Sequence, residues 1–302
     1  MEKIMVMGAG ALGSLFGGLV ANAGYDVTLV AREWHVAAIR KHGLRISGLT
    51  EITVDVKAVT SPEAAEPPDI VLFTVKSYDT ETAAKQLKPC IHEETAVVSL
   101  QNGLGNEERL SEILGAEHVL GGVTSYGALL KEPGHVAHTG VGDTFIGELD
   151  GEISKRALRI CEILNDGGIK AEAVADVRKK IWEKLIVNAA INPITAIARV
   201  RNEGLLHGEL RWLMEATARE AASVARCAGV NIDVEAAVKK AVEVATKTGK
   251  NESSMLQDIK RGKRTEIDAI SGEIVKLAEK FGMEAPINKT LHALVKNMKY
   301  QA

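Results

Sequence analysis

Ile4-Met5-Val6-Met7-Gly8-Ala9-Gly10-Ala11-Leu12-Gly13 reads as a buried strand that turns through glycines into a helix running from Ala11 to Ala23. The spacing is Gly-x-Gly-x-x-Gly, and its position between a strand and a helix is what gives it a mechanism. Gly8 permits the tight turn, Gly10 lets backbone approach a pyrophosphate, and Gly13 lets the helix lie close on the sheet. The helix N-terminus then offers amide donors to phosphate. The loop Gly8, Ala9, Gly10, Ala11, Leu12 and Gly13 therefore predicts a dinucleotide grip.

Outward from this loop, short Val/Ile-rich runs alternate with longer Ala/Leu/Lys/Glu-rich runs up to about residue 148. That is the pattern of a parallel sheet covered by helices. Strands are predicted at Lys3 to Met7, Asp26 to Ala31, Ile70 to Lys76, Ala96 to Gln101 and Val119 to Val123. The Gly/His/Thr-rich stretch from Gly134 to Gly147 predicts antiparallel edge strands. From about Asp176 the pattern becomes helical, with helices expected over Asp176 to Arg199, Leu210 to Ala228, Val234 to Thr246, Ile267 to Phe281 and Ala285 to Lys299. The expected fold is α/β: a Rossmann-type doubly wound sheet over residues 1–175, then an all-α helical domain over 176–302 that carries substrate and catalytic groups, with a cleft beside the boundary.

In such a sheet the ligand lies outside the carboxyl ends of the strands. Where an NAD-specific site places a carboxylate after the second strand, this chain has Val30-Ala31-Arg32. A guanidinium forks onto the oxygens of a 2′-phosphate, which favours NADP(H). The adjacent Glu33 keeps NAD(H) open. Lys76 and Asn102, the latter in a Gln-Asn-Gly-Leu-Gly turn, end two later strands and are expected to face the cofactor, although Asn102-Gly103 is equally an ordinary turn signal.

The most informative helix is Trp182-Glu183-Lys184-Leu185-Ile186-Val187-Asn188-Ala189-Ala190-Ile191-Asn192-Pro193. Lys184, Asn188 and Asn192 fall at i, i+4 and i+8, which puts one amine and two amides on a single face. The residues between them are nearly all apolar, so the stripe needs polar partners, either a ligand or an interhelical network. Pro193 is expected to kink or break the helix near Asn192. In an apolar setting the Lys184 pKa falls toward the operating pH, which suits a proton donor. Further on, Ser253-Ser254-Met255-Leu256-Gln257-Asp258 precedes Arg264-Thr265-Glu266-Ile267-Asp268. Either serine suits a helix cap, and Glu266 suits a helix N-terminus. Together with Lys184 they also make the hydroxyl, carboxylate and ammonium set that a 2-oxo acid needs.

Composition narrows the classes. The chain has 302 residues, 46% hydrophobic and 25% charged, with a net charge of −3, which suits a soluble globular protein and offers no basic stripe for nucleic acid. Cys90, Cys161 and Cys227 are widely spaced, without the pairing of a disulfide framework or zinc site, which fits a reducing, cytoplasmic setting. His135 and His138 stand three apart in a predicted strand and so point to opposite faces; no metal is expected. No apolar run reaches bilayer length and no secretory signal opens the chain, so no membrane role is expected. The apolar segments Leu210 to Leu213 and Leu291 to Val295 leave both monomer and homodimer open.

On these residues the chain resembles the ketopantoate reductases, or 2-dehydropantoate 2-reductases. The similarity covers nearly the whole chain: the loop at 8–13, Lys76, Gln101-Asn102-Gly103, the helix from Lys184 to Pro193, Asn202, and the segments 253–258 and 265–268. The resemblance implies NADPH-dependent reduction of 2-dehydropantoate to (R)-pantoate, on the way to pantothenate and coenzyme A. It implies catalytic roles for Lys184, as proton donor to the carbonyl oxygen, and for Glu266. It further implies substrate contacts from Asn102, Lys184, Asn188, Asn192, Asn202 and Ser254, and cofactor contacts from Lys76, Asn102, Ala128 and Glu266 besides the loop and Arg32. A related dehydrogenase acting on another small 2-oxo acid and a non-catalytic NADP(H) sensor are the alternatives.

Overall fold

The structure, a computed structural model, describes residues 2–298. The chain divides into two compact units, one formed by residues up to 101 together with 106–177, the other by 102–105 together with 178 onward.

Among the described residues the first unit contains twelve strands: β1 (Lys3–Met7), β2 (Asp26–Val30), β3 (Leu44–Gly48), β4 (Ile52–Val54), β5 (Lys57–Val59), β6 (Ile70–Phe73), β7 (Ala96–Ser99), β8 (Val119–Thr124), β9 (Gly127–Glu132), β10 (His135–Gly140), β11 (Thr144–Glu148) and β12 (Ala171–Ala173). Its helices are α1 (Ala11–Asn22), α2 (Glu33–His42), α3 (Thr80–Leu87), α4 (Asn106–Leu114) and α5 (Lys155–Asp166). The main sheet has the order β12-β11-β8-β7-β6-β1-β2-β5. Pairing is parallel from β5 through to β8, and β11 then runs antiparallel to β8. Successive residues of β1 supply both faces. Ile4 and Val6 join one core with Leu29, Leu72 and Val98, while Met5 and Met7 join another with Val71, Phe73 and Val97. A strand covered on both sides has no polar face to show, hence the unbroken apolar runs.

The strand order reverses between β1 and β6, and this switch point is where a doubly wound sheet opens to ligand. Thr74, just beyond β6, donates its backbone N–H to Met7 O at 2.9 Å and its hydroxyl to Gly8 O at 3.0 Å. The end of β6 thereby fixes the start of the glycine loop.

The stretch 134–147, expected as edge strands, is divided between two sheets. β11 belongs to the main sheet, but β10 sits inside a separate four-stranded sheet of order β4-β3-β10-β9. The division falls at Val141-Gly142-Asp143, between β10 and β11; ahead of β10, the turn at Gly134, whose φ of +73° favours glycine, folds β10 back on β9.

The second unit contains α6, which starts at the boundary (Val177–Ala198), and α7 (Gly208–Cys227), α8 (Val234–Lys247), α9 (Ser254–Lys260), α10 (Glu273–Lys280) and α11 (Pro286–Lys296). α6 supplies the centre of the core through Trp182, Leu185, Ile186, Ala189, Ala190 and Ile194. Of the kink or break expected near Asn192, the break does not occur: α6 runs through Pro193 to Ala198. Packing on apolar residues before and after the proline holds the helical path despite the lost hydrogen bond. The expected helix over 267–281 begins instead as a π-helical turn, Asp268–Gly272, before α10. The last expected helix ends at Lys296, and Lys299 lies outside the described residues. Leu291 and Val295, considered above as a pairing surface, are buried in the unit's own core. Among the described residues no helix is long and apolar enough to cross a membrane.

Gly13 shows how tightly α1 is seated. A Cβ there would lie 2.5 Å from Thr74 Oγ1 and 2.8 Å from Gly8 O. Gly13→Ala is therefore expected to destabilise the protein by about 1–3 kcal/mol, overpacking outweighing the gain in helix propensity. Urea unfolding midpoints measure this; an unchanged midpoint would mean that the loop tolerates the added methyl.

Candidate active site

In the first unit the glycine loop is fixed from below. The Gly8 and Ala9 amides both donate to Val30 O, at 3.1 and 2.8 Å, which ties the loop to the end of β2. Gly8 has a φ of +98°, and a Cβ there would strike Val75. Above Gly10, by contrast, a Cβ would meet nothing nearer than Gly8 O at 3.9 Å. Gly10 caps α1 without any side-chain cap, so the first-turn amides of α1 are not taken by a capping side chain. An open approach over glycine beside an uncapped helix N-terminus fits a dinucleotide pyrophosphate.

Arg32 is exposed just beyond β2, at the N-cap of α2. Glu33 occupies the first turn of that helix, where a carboxylate complements the helix dipole. Lys76 lies in the loop after β6, which ends at Phe73, three residues earlier than expected. Gln101 holds that loop: its Nε2 donates to Val75 O at 2.9 Å and to Thr80 Oγ1 at 2.7 Å. Ala128 lies in β9, opposite His138 in the second sheet.

Asn102 belongs with the helical unit, which was not expected from its place after a Rossmann strand. The Leu104 amide donates to Ala269 O at 2.9 Å, inside the π-helical turn. Gly103 has a φ of +95°, and a Cβ on it would lie 2.6 Å from both Cβ and O of Ala269. Only glycine permits this approach. It sets the Asn102 amide to donate to Glu266 Oε2 at 3.2 Å. Glu266 is 5% exposed and stands two residues before the π turn, a helix distortion frequent at functional sites.

Lys184 is partly exposed as a residue, yet burial of its ammonium dominates and lowers its pKa from 10.5 to about 8, with the charge of Glu266 pulling the other way. Desolvation disfavours the cation and the carboxylate restores part of its stability. Asn188 is partly buried and Asn192 is buried on the same helix. The helical unit thus brings together Lys184, Glu266 and Asn102, with Asn188 and Asn192 continuing the stripe along α6.

Asn202 and Ser254 stand differently. Asn202 Nδ2 donates to Thr248 Oγ1 at 2.8 Å, while its Oδ1 is buried with no hydrogen-bond partner. Ser254 is exposed at the start of α9, and Ser253 is the capping residue: its hydroxyl accepts from Leu256 N and lies 2.7 Å from Thr195 Oγ1. Sequence reasoning missed Thr74, Gln101 as a fastener of the Lys76 loop, and the docking of Gly103. The polar residues at the ends of the apolar runs 70–75 and 97–101 were the available signal for the first two.

The family model described as "Ketopantoate reductase PanE/ApbA" matches residues 4–151, and that for the C-terminal part of the same family matches 176–299. A 2-dehydropantoate 2-reductase of Archaeoglobus fulgidus is 47% identical over 299 residues, covering 99% of this chain and 98% of the relative. Among solved structures, a PanE/ApbA family ketopantoate reductase from Ralstonia eutropha superposes with a TM-score of 0.90 at 37% identity, with 97% of each chain covered. A D-mandelate dehydrogenase solved with NADH and anilino(oxo)acetate gives 0.92 at 28% identity, again with 97% of each covered. With both halves matched and identity sustained along almost the full length, this chain belongs to the ketopantoate reductase family.

Proposed function

We propose that this chain reduces 2-dehydropantoate to (R)-pantoate with NADPH, and that Lys184 gives the carbonyl oxygen its proton. The observation that carries the reading is the desolvated Lys184 ammonium, poised near pH 8 within the field of the buried Glu266. Reducing a ketone requires a hydride at carbon and a proton at oxygen. The bound cofactor supplies the hydride.

The remaining groups orient and bind. Loop residues 8–13 hold the pyrophosphate, and Arg32 forks onto the 2′-phosphate that distinguishes NADPH. Lys76 and Ala128 take further cofactor contacts. The Asn102 amide steadies Glu266, which keeps Lys184 protonated more of the time than burial alone would allow. Asn188, Asn192, Asn202 and Ser254 offer amides and a hydroxyl to the carboxylate and hydroxyl of the substrate. Asn202 suits this well, because its buried Oδ1 awaits a donor. The likeness to D-mandelate dehydrogenase favours one second reading, NADH-linked reduction of a bulkier 2-oxo acid. The greater identity to 2-dehydropantoate 2-reductases weighs against it.

Absorbance at 340 nm (a property of the reduced cofactor) should fall when protein, NADPH and 2-dehydropantoate are mixed, faster than with NADH or with an aryl 2-oxo acid. No change with any pair would refute the reading. Arg32→Ala should raise the KM for NADPH about tenfold or more while leaving that for NADH nearly unchanged.

Two consequences follow from Lys184. The ammonium is the acid, so kcat for reduction should decline as pH rises through about 8, and Glu266→Gln should move that decline to lower pH; a decline that stays in place would detach the two residues. For stability the sign is set by the depressed native pKa. Between about 8 and 10.5 the unfolded chain holds a proton at Lys184 that the native chain has released, so this group favours folding increasingly as pH rises. Urea unfolding should then show the wild-type protein gaining on Lys184→Met from pH 7.5 to pH 10, whereas a constant difference would mean an ordinary lysine.

A further inference from the structure

A buried histidine outside the groups discussed so far is wired to the glycine loop. His35 is 1% exposed and Ser14 is fully buried. The Gly134 amide donates to His35 Nδ1 at 2.9 Å, His35 Nε2 lies 3.0 Å from Ser14 Oγ, and the Ser14 hydroxyl donates to Ala9 O at 3.1 Å.

The direction of this chain is fixed by chemistry. A backbone N–H can only donate, so Nδ1 must accept and the neutral ring must carry its proton on Nε2. Burial lowers the His35 pKa and keeps the ring neutral. Nε2–H therefore donates to Ser14 Oγ, and the serine proton is left for the Ala9 carbonyl. The same peptide unit is held at its other end, where Gly10 N–H donates to Gly8 O at 2.6 Å. Pinned at both ends, the peptide between Ala9 and Gly10 cannot turn its carbonyl oxygen toward an anion at the N-terminus of α1. A carbonyl facing phosphate would oppose the helix dipole and the amide donors.

We propose that His35 is a positioning residue for cofactor binding: anchored by the turn at Gly134, it acts through Ser14 to hold the Ala9 carbonyl away from the pyrophosphate. This rests on the reading of the loop as the dinucleotide grip. Gly134 belongs to the second sheet's β9–β10 hairpin, which packs close to α2, a Cβ on Gly134 falling 3.1 Å from Ala38 Cβ. The β9–β10 turn at Gly134 thus takes part in binding from beneath the loop, through α2 and α1.

The test is a double-mutant cycle on NADPH affinity, read by the cofactor's fluorescence, with kcat at saturating NADPH and thermal midpoints alongside. Ser14→Ala adds no volume and improves helix propensity, so it is the variant least prone to misfold. It should raise the Kd for NADPH about tenfold, the loss of one aimed hydrogen bond, with kcat changed by less than about threefold. His35→Asn keeps an acceptor for Gly134 but cannot reach Ser14, and should give a similar rise; the double variant should be no weaker than either single variant. His35→Gln, which restores a donor toward Ser14, should recover most of the affinity. Unchanged Kd in Ser14→Ala and His35→Asn, or additive losses in the double variant, would overturn the proposal while leaving the loop as the cofactor site. Failure of the unsubstituted protein to bind NADPH or NADH would overturn both.

Discussion

A lysine ammonium taken out of water but kept within the field of one buried carboxylate is the interaction on which the proposed chemistry depends. Burial alone would drive the Lys184 proton off, while a close, fully paired carboxylate would hold it too firmly to release. Desolvation wins here and Glu266 limits its victory, which leaves the pKa at about 8. A general acid works best when its pKa lies near the operating pH. The surrounding helices serve that balance: Lys184 stands on α6, the helix whose Trp182, Leu185 and Ile186 form part of the unit's core, and the π turn after Glu266 is where Leu104 docks to bring Asn102 onto the carboxylate.

The segment 102–105 is the least conventional part of the chain. It follows a parallel strand of the sheet, yet it packs with the helical unit. Two glycines with positive φ, Gly103 and Gly105, permit the path, and the contact of Gly103 with Ala269 leaves no room for a side chain. A residue that strand topology assigns to the cofactor therefore donates to the buried carboxylate of Glu266.

Much of this was legible in the sequence because it depends on local pattern. The glycine spacing after Ile4 to Met7, the apolar runs of the buried parallel strands, and the i, i+4, i+8 stripe of Lys184, Asn188 and Asn192 are each set by residues near one another in the chain. What escaped depends on distant partners. The second sheet is built from short pieces such as Leu44–Gly48 and Ile52–Val54, and the first of these pairs with β10 some ninety residues away, His135 opposite Arg45. The His35 to Ser14 link, the Thr74 hydroxyl on Gly8 and the seat of Gly103 on Ala269 are likewise tertiary contacts. Pro193 does not end α6, because core packing on both sides outweighs a single lost backbone hydrogen bond.

The most direct measurement of the central claim is the titration of Lys184 itself, followed by NMR on protein carrying isotope-labelled lysine, with Lys184→Met to assign the signal. A midpoint near 8 that drops further in Glu266→Gln is expected. A midpoint at the ordinary value of 10.5, indifferent to the loss of the carboxylate, would contradict the assignment of Lys184 as the proton donor.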